Sequence, residues 1–119
     1  MKRILVIEDN EADMYLTRFI FKKCGYEVIE ATSGEEGVEL AIKERPDLII
    51  MDEKLPGIDG LETAKRIRKS KAEDKFPIIA LTAYAMAGDR ERALKAGCTG
   101  YITKPIDPET FMDELKKYL

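Results

Sequence analysis

The residues of this chain that could do chemistry are carboxylates that follow two apolar runs. Asp52 comes directly after Leu48–Met51, and large apolar residues without polar alternation are typical of a parallel strand buried on both faces. Glu8 and Asp9 follow the run Ile4–Ile7 in the same way. In open parallel sheets, ligands and chemistry collect at the carboxyl ends of the strands. Taken alone, each acid could equally be a helix cap or a solvated loop residue.

If these three carboxylates meet at one edge of a sheet, their mutual repulsion indicates what they bind. Two like charges about 4 Å apart repel by about 4 kcal/mol at an effective dielectric constant of about 20. Either the pKa values rise or a hard cation joins the acids. The chain has no histidine, which excludes histidine as a metal ligand or catalytic base. A set of oxygen ligands favours Mg²⁺, which binds one or two carboxylates together with waters and phosphate oxygens.

Two more candidates follow the last two strand-like segments. Thr82, after Pro77–Leu81, offers a hydroxyl donor, and Lys104, after Thr99–Thr103, offers a positive charge. Phosphoryl transfer requires mainly positioning and charge neutralisation, and these groups supply both, with Asp52 as the nucleophile that forms an aspartyl phosphate. Alone, the threonine suits a local hydrogen bond and the lysine a solvated surface position. Their joint occurrence at separate strand ends is what indicates a phosphate site.

The elements that must position these residues alternate along the chain. Five strand-like segments alternate with five helical ones, which predicts one α/β domain with a doubly wound five-stranded parallel sheet and helices on both faces. The flavodoxin-like strand order 2-1-3-4-5 is expected. In that order the first and third strands are neighbours, so Glu8, Asp9 and Asp52 converge.

The helices give less distinct patterns than the strands. The first is predicted over about Glu11–Cys24, the fourth over about Met86–Ala96, and the last opens on Asp107 and Pro108. Because the fourth has few large apolar residues, we expect it to be weakly anchored. Both cysteines are interpreted as small buried hydrophobes. The side chains predicted to be buried by the first two helices are Ala12, Leu16, Phe19, Ile20, Cys24, Val38, Ala41 and Ile42.

Composition limits the class of protein. The chain has 119 residues, 45% hydrophobic and 36% charged, which is ordinary for one globular domain. The net charge is -3 and the basic residues are scattered, so direct nucleic-acid binding is not expected. The apolar runs are strand-sized and no signal-peptide core follows the first residues, so we expect a cytoplasmic protein without membrane contact.

The chain resembles the receiver domains of two-component response regulators, including those of hybrid histidine kinases and stand-alone regulators. The resemblance covers essentially residues 1–119, which are expected to form one receiver domain. Each motif alone is weak, but together they are specific. The motifs are Glu8-Asp9, Met51-Asp52, Leu55-Pro56-Gly57, Asp59-Gly60, Thr82-Ala83, Tyr101 and Lys104-Pro105.

The resemblance implies a phosphorelay function. Asp52 would take a phosphoryl group from a histidine kinase or a histidine phosphotransfer protein, and the domain would assist only its own phosphorylation and autodephosphorylation. The implied Mg²⁺ ligands are Glu8, Asp9, Asp52 and the backbone carbonyl of Lys54.

The resemblance also implies a switch. Thr82 and Lys104 would contact the phosphoryl oxygens, and Tyr101 would turn inward behind Thr82. That movement would change a protein-binding surface on the fourth helix, fifth strand and fifth helix, where a downstream protein target binds. A monomer is expected.

The chain departs from the family pattern at the residues that flank the site. Glu53 stands where the family commonly has an apolar residue. Lys54 and Tyr84 occupy positions that in the family modulate attack of water on the acyl phosphate. We predict that this long cation and bulky ring shield the phosphoryl group and slow autodephosphorylation.

Three other functions compete with this interpretation. A haloacid-dehalogenase-like phosphatase also uses a strand-end aspartate, Mg²⁺, a hydroxyl and a lysine, but it normally has a second aspartate where this chain has Lys54. A flavin- or nucleotide-binding module would need a glycine-rich loop after the first strand, where this chain has Glu8-Asp9-Asn10-Glu11. A degenerate receiver would signal by binding alone.

Overall fold

The computed structural model describes residues 2–70, 76–83 and 87–119. In this part of the chain, strands and helices alternate as predicted. The strands are β1 Arg3–Ile7, β2 Glu27–Ala31, β3 Leu48–Asp52, β4 Ile78–Thr82 and β5 Gly100–Thr103. The helices are α1 Glu11–Lys23, α2 Gly34–Glu44, α3 Gly60–Lys69, α4 Asp89–Lys95 and α5 Phe111–Leu115, and a 3₁₀ turn, Lys116–Tyr118, follows α5.

The five strands form one parallel sheet in the order β2-β1-β3-β4-β5. The predicted flavodoxin-like order is therefore confirmed. In the register, Ile7 pairs with Met51, and Asp52 pairs with Leu81. Since every strand runs in the same direction, the residues that follow β1, β3, β4 and β5 share one edge of the sheet.

Hydrophobic layers cover both faces of the sheet. Every residue of β3 and β4 is buried, as an interior parallel strand requires. Alternate residues of the strands point to opposite faces, and they belong to two separate apolar clusters. One cluster includes side chains of α2, α3 and α4, and the other includes side chains of α1 and α5. The sheet is thus doubly wound, as expected.

Helix α1 buries only part of the predicted face: Ile20 is buried as predicted, and Leu16 packs against an apolar cluster. Its buried residues are Met14, Thr17, Ile20 and Phe21. Phe19 is 52% exposed, and Ala12 and Cys24 are also exposed, so their predicted burial was wrong. The helix is apolar around most of its circumference, and Phe21 decides which face turns inward, because its ring packs edge-on against Phe111 at 5.7 Å between centroids.

Helix α2 buries part of its predicted face. Ala41 is buried as predicted and Val38 packs against an apolar cluster, but Ile42 is 51% exposed. A Cβ atom at Gly37 would lie 2.5 Å from Ile7 Cδ1, so the helix approaches β1 through its smallest residues. That close approach turns the larger Ile42 toward solvent, and its predicted burial was wrong.

The last two helices are short. Met86 lies outside the described residues, and the regular part of α4 begins at Asp89. Asp107 accepts a hydrogen bond from Glu109 N through Oδ1 at 2.9 Å, as predicted for a capping residue, although regular helix begins only at Phe111. No helix in the described part of the chain is long and apolar enough to cross a membrane.

Candidate functional site

Three acidic side chains meet at the carboxyl edge of the sheet. Glu8 follows β1, and its backbone N–H donates to Ala31 O at 2.9 Å, which extends the pairing of β1 with β2. Asp52 is the last residue of β3. Carboxylate oxygens of Glu8, Asp9 and Asp52 all lie within 4.8 Å of one another. Glu8 and Asp52 are buried and Asp9 is exposed, so the cluster opens toward solvent on one side.

The start of α3 fixes the backbone at Asp52. Gly60 N donates to Glu53 O at 2.8 Å. A Cβ atom at Gly60 would lie 2.5 Å from Asp52 O and 2.7 Å from Glu53 Cα, so a side chain at this position would push the helix away. Asp59 caps α3 by accepting from Glu62 N at 2.8 Å. The Asp59-Gly60 motif thus holds the carboxyl end of β3 in place.

Lys104 supplies the positive charge of the cluster. Its Nζ lies 3.0 Å from Glu8 Oε1, 3.2 Å from Asp52 Oδ2 and 3.0 Å from Asp13 Oδ2. Its backbone N–H donates to Thr82 O at 2.7 Å, and the Lys104–Pro105 peptide bond is cis. The sequence reasoning missed Asp13, which lies in the first turn of α1.

The electrostatics of the cluster follow from burial and these ion pairs. The pKa of Glu8 is raised to about 7, chiefly by burial and also by a hydrogen bond with Asp52 and the charge of Asp52, while Lys104 opposes the rise. For Lys104, burial alone would lower the pKa, but hydrogen bonds to Asp13 and Glu8 and the charges of Glu8 and Asp52 outweigh burial and raise it. Lys104 therefore stays charged among acids that repel one another.

Among the described residues, Asp52 contacts Lys54 and Lys104. Its Oδ1 accepts from Lys54 N at 3.2 Å, and its Oδ2 faces Lys104. The structure thus places the Lys54 backbone beside Asp52, while the role of its carbonyl as a metal ligand stays a prediction. The Lys54 side chain is exposed. Tyr84, the other residue predicted to shield the site, lies outside the described residues.

Thr82 is buried at the end of β4, and it lines the same cavity as Asp52 and Glu53. Glu53 directly follows Asp52 and is half-buried. Burial raises the pKa of Glu53, whereas the nearby Thr82 hydroxyl and the charge of Arg92 lower it. From the sequence, Glu53 could be recognised as a departure from the family pattern, but its partial burial could not.

Tyr101 lies on β5, where it pairs with Ala80 of β4. Its ring packs against the apolar cluster shared with α2, α3 and α4. The hydroxyl is buried and has no hydrogen-bond partner among the described residues. Tyr101 therefore stands one strand away from Thr82, half-buried, with a polar atom inside the molecule.

An open cavity of about 830 Å³ joins these groups. Asp9, Asp52, Thr82 and Lys104 face it from the strand ends, and α1 and α4 contribute acids of their own. Its lining residues are Asp9, Asn10, Glu11, Asp13, Asp52, Glu53, Lys54, Thr82, Ala83, Asp89 and Lys104. A cavity lined by carboxylate oxygens and by two lysines, of which Lys104 contacts the acids, suits a hard cation and a phosphoryl group.

Comparison with known proteins identifies the family. Residues 4–116 match the family model of the response regulator receiver domain. The chain belongs to this family. It is 43% identical over 118 residues to the polar-differentiation response regulator DivK of Brucella ovis, and the match covers 99% of this chain and 96% of DivK.

Solved receiver structures share the fold. Chemotaxis protein CheY4 of Vibrio cholerae superposes with a TM-score of 0.94 at 30% identity, covering 100% of this chain and 99% of that one. The receiver domain of sensor histidine kinase PA1611 of Pseudomonas aeruginosa PAO1 superposes with a TM-score of 0.90 at 35% identity, covering 98% and 96%. That structure has a magnesium ion coordinated in its active site cleft. The present chain is thus a receiver domain of two-component signalling, and its acidic cluster is compatible with a Mg²⁺-dependent phosphoacceptor site.

Proposed function

We propose that Asp52 of this receiver domain accepts a phosphoryl group in a Mg²⁺-dependent reaction and that residues 1–119 act as one signalling unit. The observation that carries the proposal is the position of Asp52. It lies at the end of the central strand, within 4.8 Å of two further carboxylates and 3.2 Å from the Lys104 ammonium. Phosphoryl transfer requires this combination of a placed nucleophile and nearby positive charge.

The donor set fits Mg²⁺. Glu8, Asp9 and Asp52 would hold the ion together with the Lys54 carbonyl, and they offer only oxygen atoms, which this cation prefers. When bound, Mg²⁺ neutralises charge on the acids and on the phosphoryl oxygens. The present geometry supports this assignment because the three carboxylates lie close together and are open to solvent at Asp9.

The remaining residues of the site position the reacting groups. A carboxylate oxygen of Asp52 forms a bond to phosphorus while the bond between phosphorus and the donor imidazole nitrogen breaks, and the imidazole leaves with the electron pair. The Lys54 N–H orients the Asp52 carboxylate. Lys104 supplies charge to the phosphoryl oxygens, and Thr82 supplies a hydroxyl donor from the neighbouring strand.

The proposed partners are proteins. Receiver domains interact with histidine kinases or phosphotransfer proteins and with downstream targets, and we assign both kinds of partner to this chain, in the cytoplasm, without direct nucleic-acid or membrane contact. Thr82 and Tyr101 would act as the switch, and α4, β5 and α5 would form the target surface. Tyr101 is half-buried and its hydroxyl is buried, which supports the proposal that this side chain has two positions. We expect the chain to be a monomer that assists only its own phosphorylation and dephosphorylation.

Intact mass after incubation with acetyl phosphate and Mg²⁺ tests the proposal. One phosphoryl adduct that hydroxylamine removes is expected in the parent, and none without Mg²⁺ or in Asp52→Ala. Asp113→Asn is the matched control, because it removes an exposed carboxylate from α5 and should keep the adduct. An adduct that persists in Asp52→Ala would overturn the assignment of Asp52. No adduct and no turnover of the donor would leave a receiver that signals by binding alone.

A phosphatase of the haloacid-dehalogenase type is not favoured by the family match. Lys54 stands where that chemistry needs a second aspartate. At this position a backbone N–H, that of Lys54, contacts Asp52 instead of a carboxylate. Hydrolysis of p-nitrophenyl phosphate distinguishes the two functions. We expect no sustained turnover by the parent, whereas rapid turnover that depends on Asp52 would support the enzyme.

Lys54 and Tyr84 are proposed to shield the acyl phosphate from water. The exposed Lys54 side chain borders the cavity at Asp52, which supports its part of the proposal. The phosphorylated Lys54→Ala, Tyr84→Ala double variant should lose its phosphoryl group faster than the parent. Equal lifetimes in the two proteins would show that these side chains do not shield it.

A further inference from the structure

Arg68 joins the end of α3 to the end of α4, far from the groups that the proposed phosphoryl transfer uses. It lies in the last turn of α3, and its Nε donates to Gly97 O, just after α4, at 2.9 Å. Its Nη2 donates to Thr99 Oγ1, just before β5, at 3.3 Å. The guanidinium also lies over the ring of the buried Phe76, with Cζ 5.5 Å from the ring centroid. One half-buried side chain therefore contacts three segments outside its own helix.

The end of α4 has a shape that accepts this arginine. Gly97 has a φ of +107°, in the left-handed region that favours glycine. Its N–H donates to Leu94 O at 3.1 Å, and Cys98 N donates to Ala93 O at 3.0 Å. These two bonds form a Schellman helix end. A Cβ atom at Gly97 would lie 2.6 Å from Arg68 Cγ, so a larger residue would displace the arginine from the helix end.

Thr99 connects the same end of α4 to the sheet. Its N–H donates to Ile78 O at 2.7 Å, and its Oγ1 accepts from Ile78 N at 3.1 Å. Ile78 is the first residue of β4, whereas Asp52 is the last residue of β3, so these bonds lie at the edge of the sheet opposite to the phosphoacceptor candidate. The C-terminal end of α4 is therefore tied both to the sheet and, through Arg68, to α3.

The N-terminal end of α4 lies at the other edge of the sheet, beside the cavity. Asp89, the first residue of the helix, lines the cavity together with Asp52. Gly88 occupies the N-cap position, and glycine has no side chain that could cap the first turn. The buried apolar residues Ala93 and Ala96 lie toward the opposite end. This distribution indicates a helix that is held mainly at its C-terminal end.

We propose that Arg68 holds the C-terminal end of α4 in place, so that phosphorylation moves the N-terminal end and the helix pivots near Gly97. The inference rests on the proposed phosphoacceptor function of Asp52 and extends it to the movement of the target surface. A change at the cavity reaches α4 at Asp89, and the contacts of Arg68 limit how far that change travels along the helix. Without Arg68, the same event would shift the whole helix.

Amide hydrogen exchange of the full chain, followed by NMR, tests whether Arg68 holds this end. Arg68→Met keeps an unbranched side chain and removes the guanidinium. The amides of Gly97 and Cys98 should exchange about tenfold faster than in the parent, the effect of losing one charge-assisted hydrogen bond. Helix α1 ends in the same bonding pattern at Gly25 and Tyr26, and these amides should keep the parent rate. Equal acceleration at both helix ends would show only a general loss of stability and would overturn the inference.

Two further variants separate the contacts of Arg68 from its charge. Arg66→Met is the matched control, because Arg66 lies on the same helix, and its Nε binds Glu62 Oε2 at 3.0 Å instead of α4. It should leave exchange at Gly97 unchanged. Arg68→Lys keeps the charge without the planar fork, so exchange at Gly97 should lie between the rates of the parent and Arg68→Met. This milder variant tests the same amide if Arg68→Met does not fold, and a parent rate in it would contradict the role of the guanidinium.

Beryllofluoride with Mg²⁺ tests the pivot, because it binds a carboxylate as a stable mimic of a phosphoryl group. In the parent, saturation should shift the amide resonances of Asp89–Arg92 much more than those of Gly97 and Cys98. In Arg68→Met, the shifts should extend to Gly97 and Cys98, whereas a purely structural role of Arg68 would leave the parent pattern.

The outcomes for the pivot and for the proposed function differ. A parent that binds beryllofluoride and forms the acetyl phosphate adduct, but whose resonances shift equally at both ends of α4, would refute the pivot alone. The parent pattern of shifts in Arg68→Met would do the same. A parent that neither binds beryllofluoride nor forms the adduct would refute the proposed function and the pivot together.

Discussion

Asp13 gives Lys104 a third acidic partner that would compete with a phosphoryl group. Lys104 Nζ lies 3.0 Å from Asp13 Oδ2, and the Asp13 side chain is partly exposed, so the pair contributes less than about 1 kcal/mol to stability. Asp13→Asn should therefore leave the melting temperature nearly unchanged. It should speed adduct formation from acetyl phosphate by about threefold, because loss of the Asp13 contact weakens the interactions that restrain Lys104 by roughly 0.6 kcal/mol.

Initial rates by intact mass measure this effect, with Glu11→Gln as the control. Glu11→Gln removes the same charge from the same turn of α1, so a general electrostatic effect would accelerate both variants equally. Acceleration in Asp13→Asn alone would assign the effect to its contact with Lys104. Slower phosphorylation in Asp13→Asn would show that Asp13 holds Lys104 in its working position.

The two cysteines should differ in reactivity. Cys24 is exposed at the end of α1, whereas Cys98 is buried, and burial raises the pKa of its thiol to about 11. Because the thiolate is the reactive form, a raised pKa leaves little of it at pH 8. A thiol reagent added to the folded protein at pH 8 should modify Cys24 rapidly and Cys98 only after unfolding. Peptide mapping checks this, and rapid labelling of Cys98 in the folded chain would contradict its burial.

At the residue scale, sequence reasoning could place the main groups but not their partners. Glu8, Asp9, Asp52, Thr82 and Lys104 follow apolar strands, and parallel strands bring such positions to one edge. The contact of Asp13 with Lys104 and the partial burial of Glu53 depend on which way a side chain turns at a helix start or after a strand. Packing against other elements sets those directions, and the local sequence pattern does not reveal this packing.

At the scale of elements, strands were easier to predict than helix faces. Leu48–Met51 has no polar residue, so both faces of β3 can be buried. Locating the strand in the sequence is therefore enough to predict which of its residues are buried. Helix α1 has apolar residues on most sides, and a periodic pattern with several possible phases does not decide which side faces the sheet. The contact of Phe21 with Phe111 on α5 decides it, and that contact spans most of the chain.

The corrected face of α1 predicts how two neighbouring phenylalanines contribute to stability. Phe21 is fully buried and Phe19 is 52% exposed. Phe21→Ala should lower the free energy of unfolding by about 3–5 kcal/mol, because it removes a ring and leaves a cavity. Phe19→Ala, the same change two positions away, should lower it by less than about 1 kcal/mol. Urea unfolding measures both, and similar losses in the two variants would restore the originally predicted face.

At the scale of the whole molecule, the fold concentrates negative charge at one end of the sheet. Glu8 and Asp52 are buried, and Asp9 joins them within 4.8 Å, while Lys104 is shared among Glu8, Asp13 and Asp52. Like charges at such distances repel, so the cluster lowers the stability of the domain, and the proposed cation would relieve this repulsion. This arrangement predicts that Mg²⁺ stabilises the folded state as a whole.

Mg²⁺ at ten times its dissociation constant should stabilise the folded domain by about 1.4 kcal/mol, which corresponds to about 5 °C in the melting temperature. Asp9 is exposed, so Asp9→Asn removes a ligand without opening the core, and it should raise the melting temperature without Mg²⁺ because it reduces repulsion. The same variant should lose most of the shift caused by Mg²⁺. Asp113→Asn, which lies on α5, should keep the shift. Melting scans with and without MgCl₂ measure these shifts. An equal shift in the parent, Asp9→Asn and Asp113→Asn would mean that Mg²⁺ acts by general screening and that the acidic cluster does not bind a specific cation.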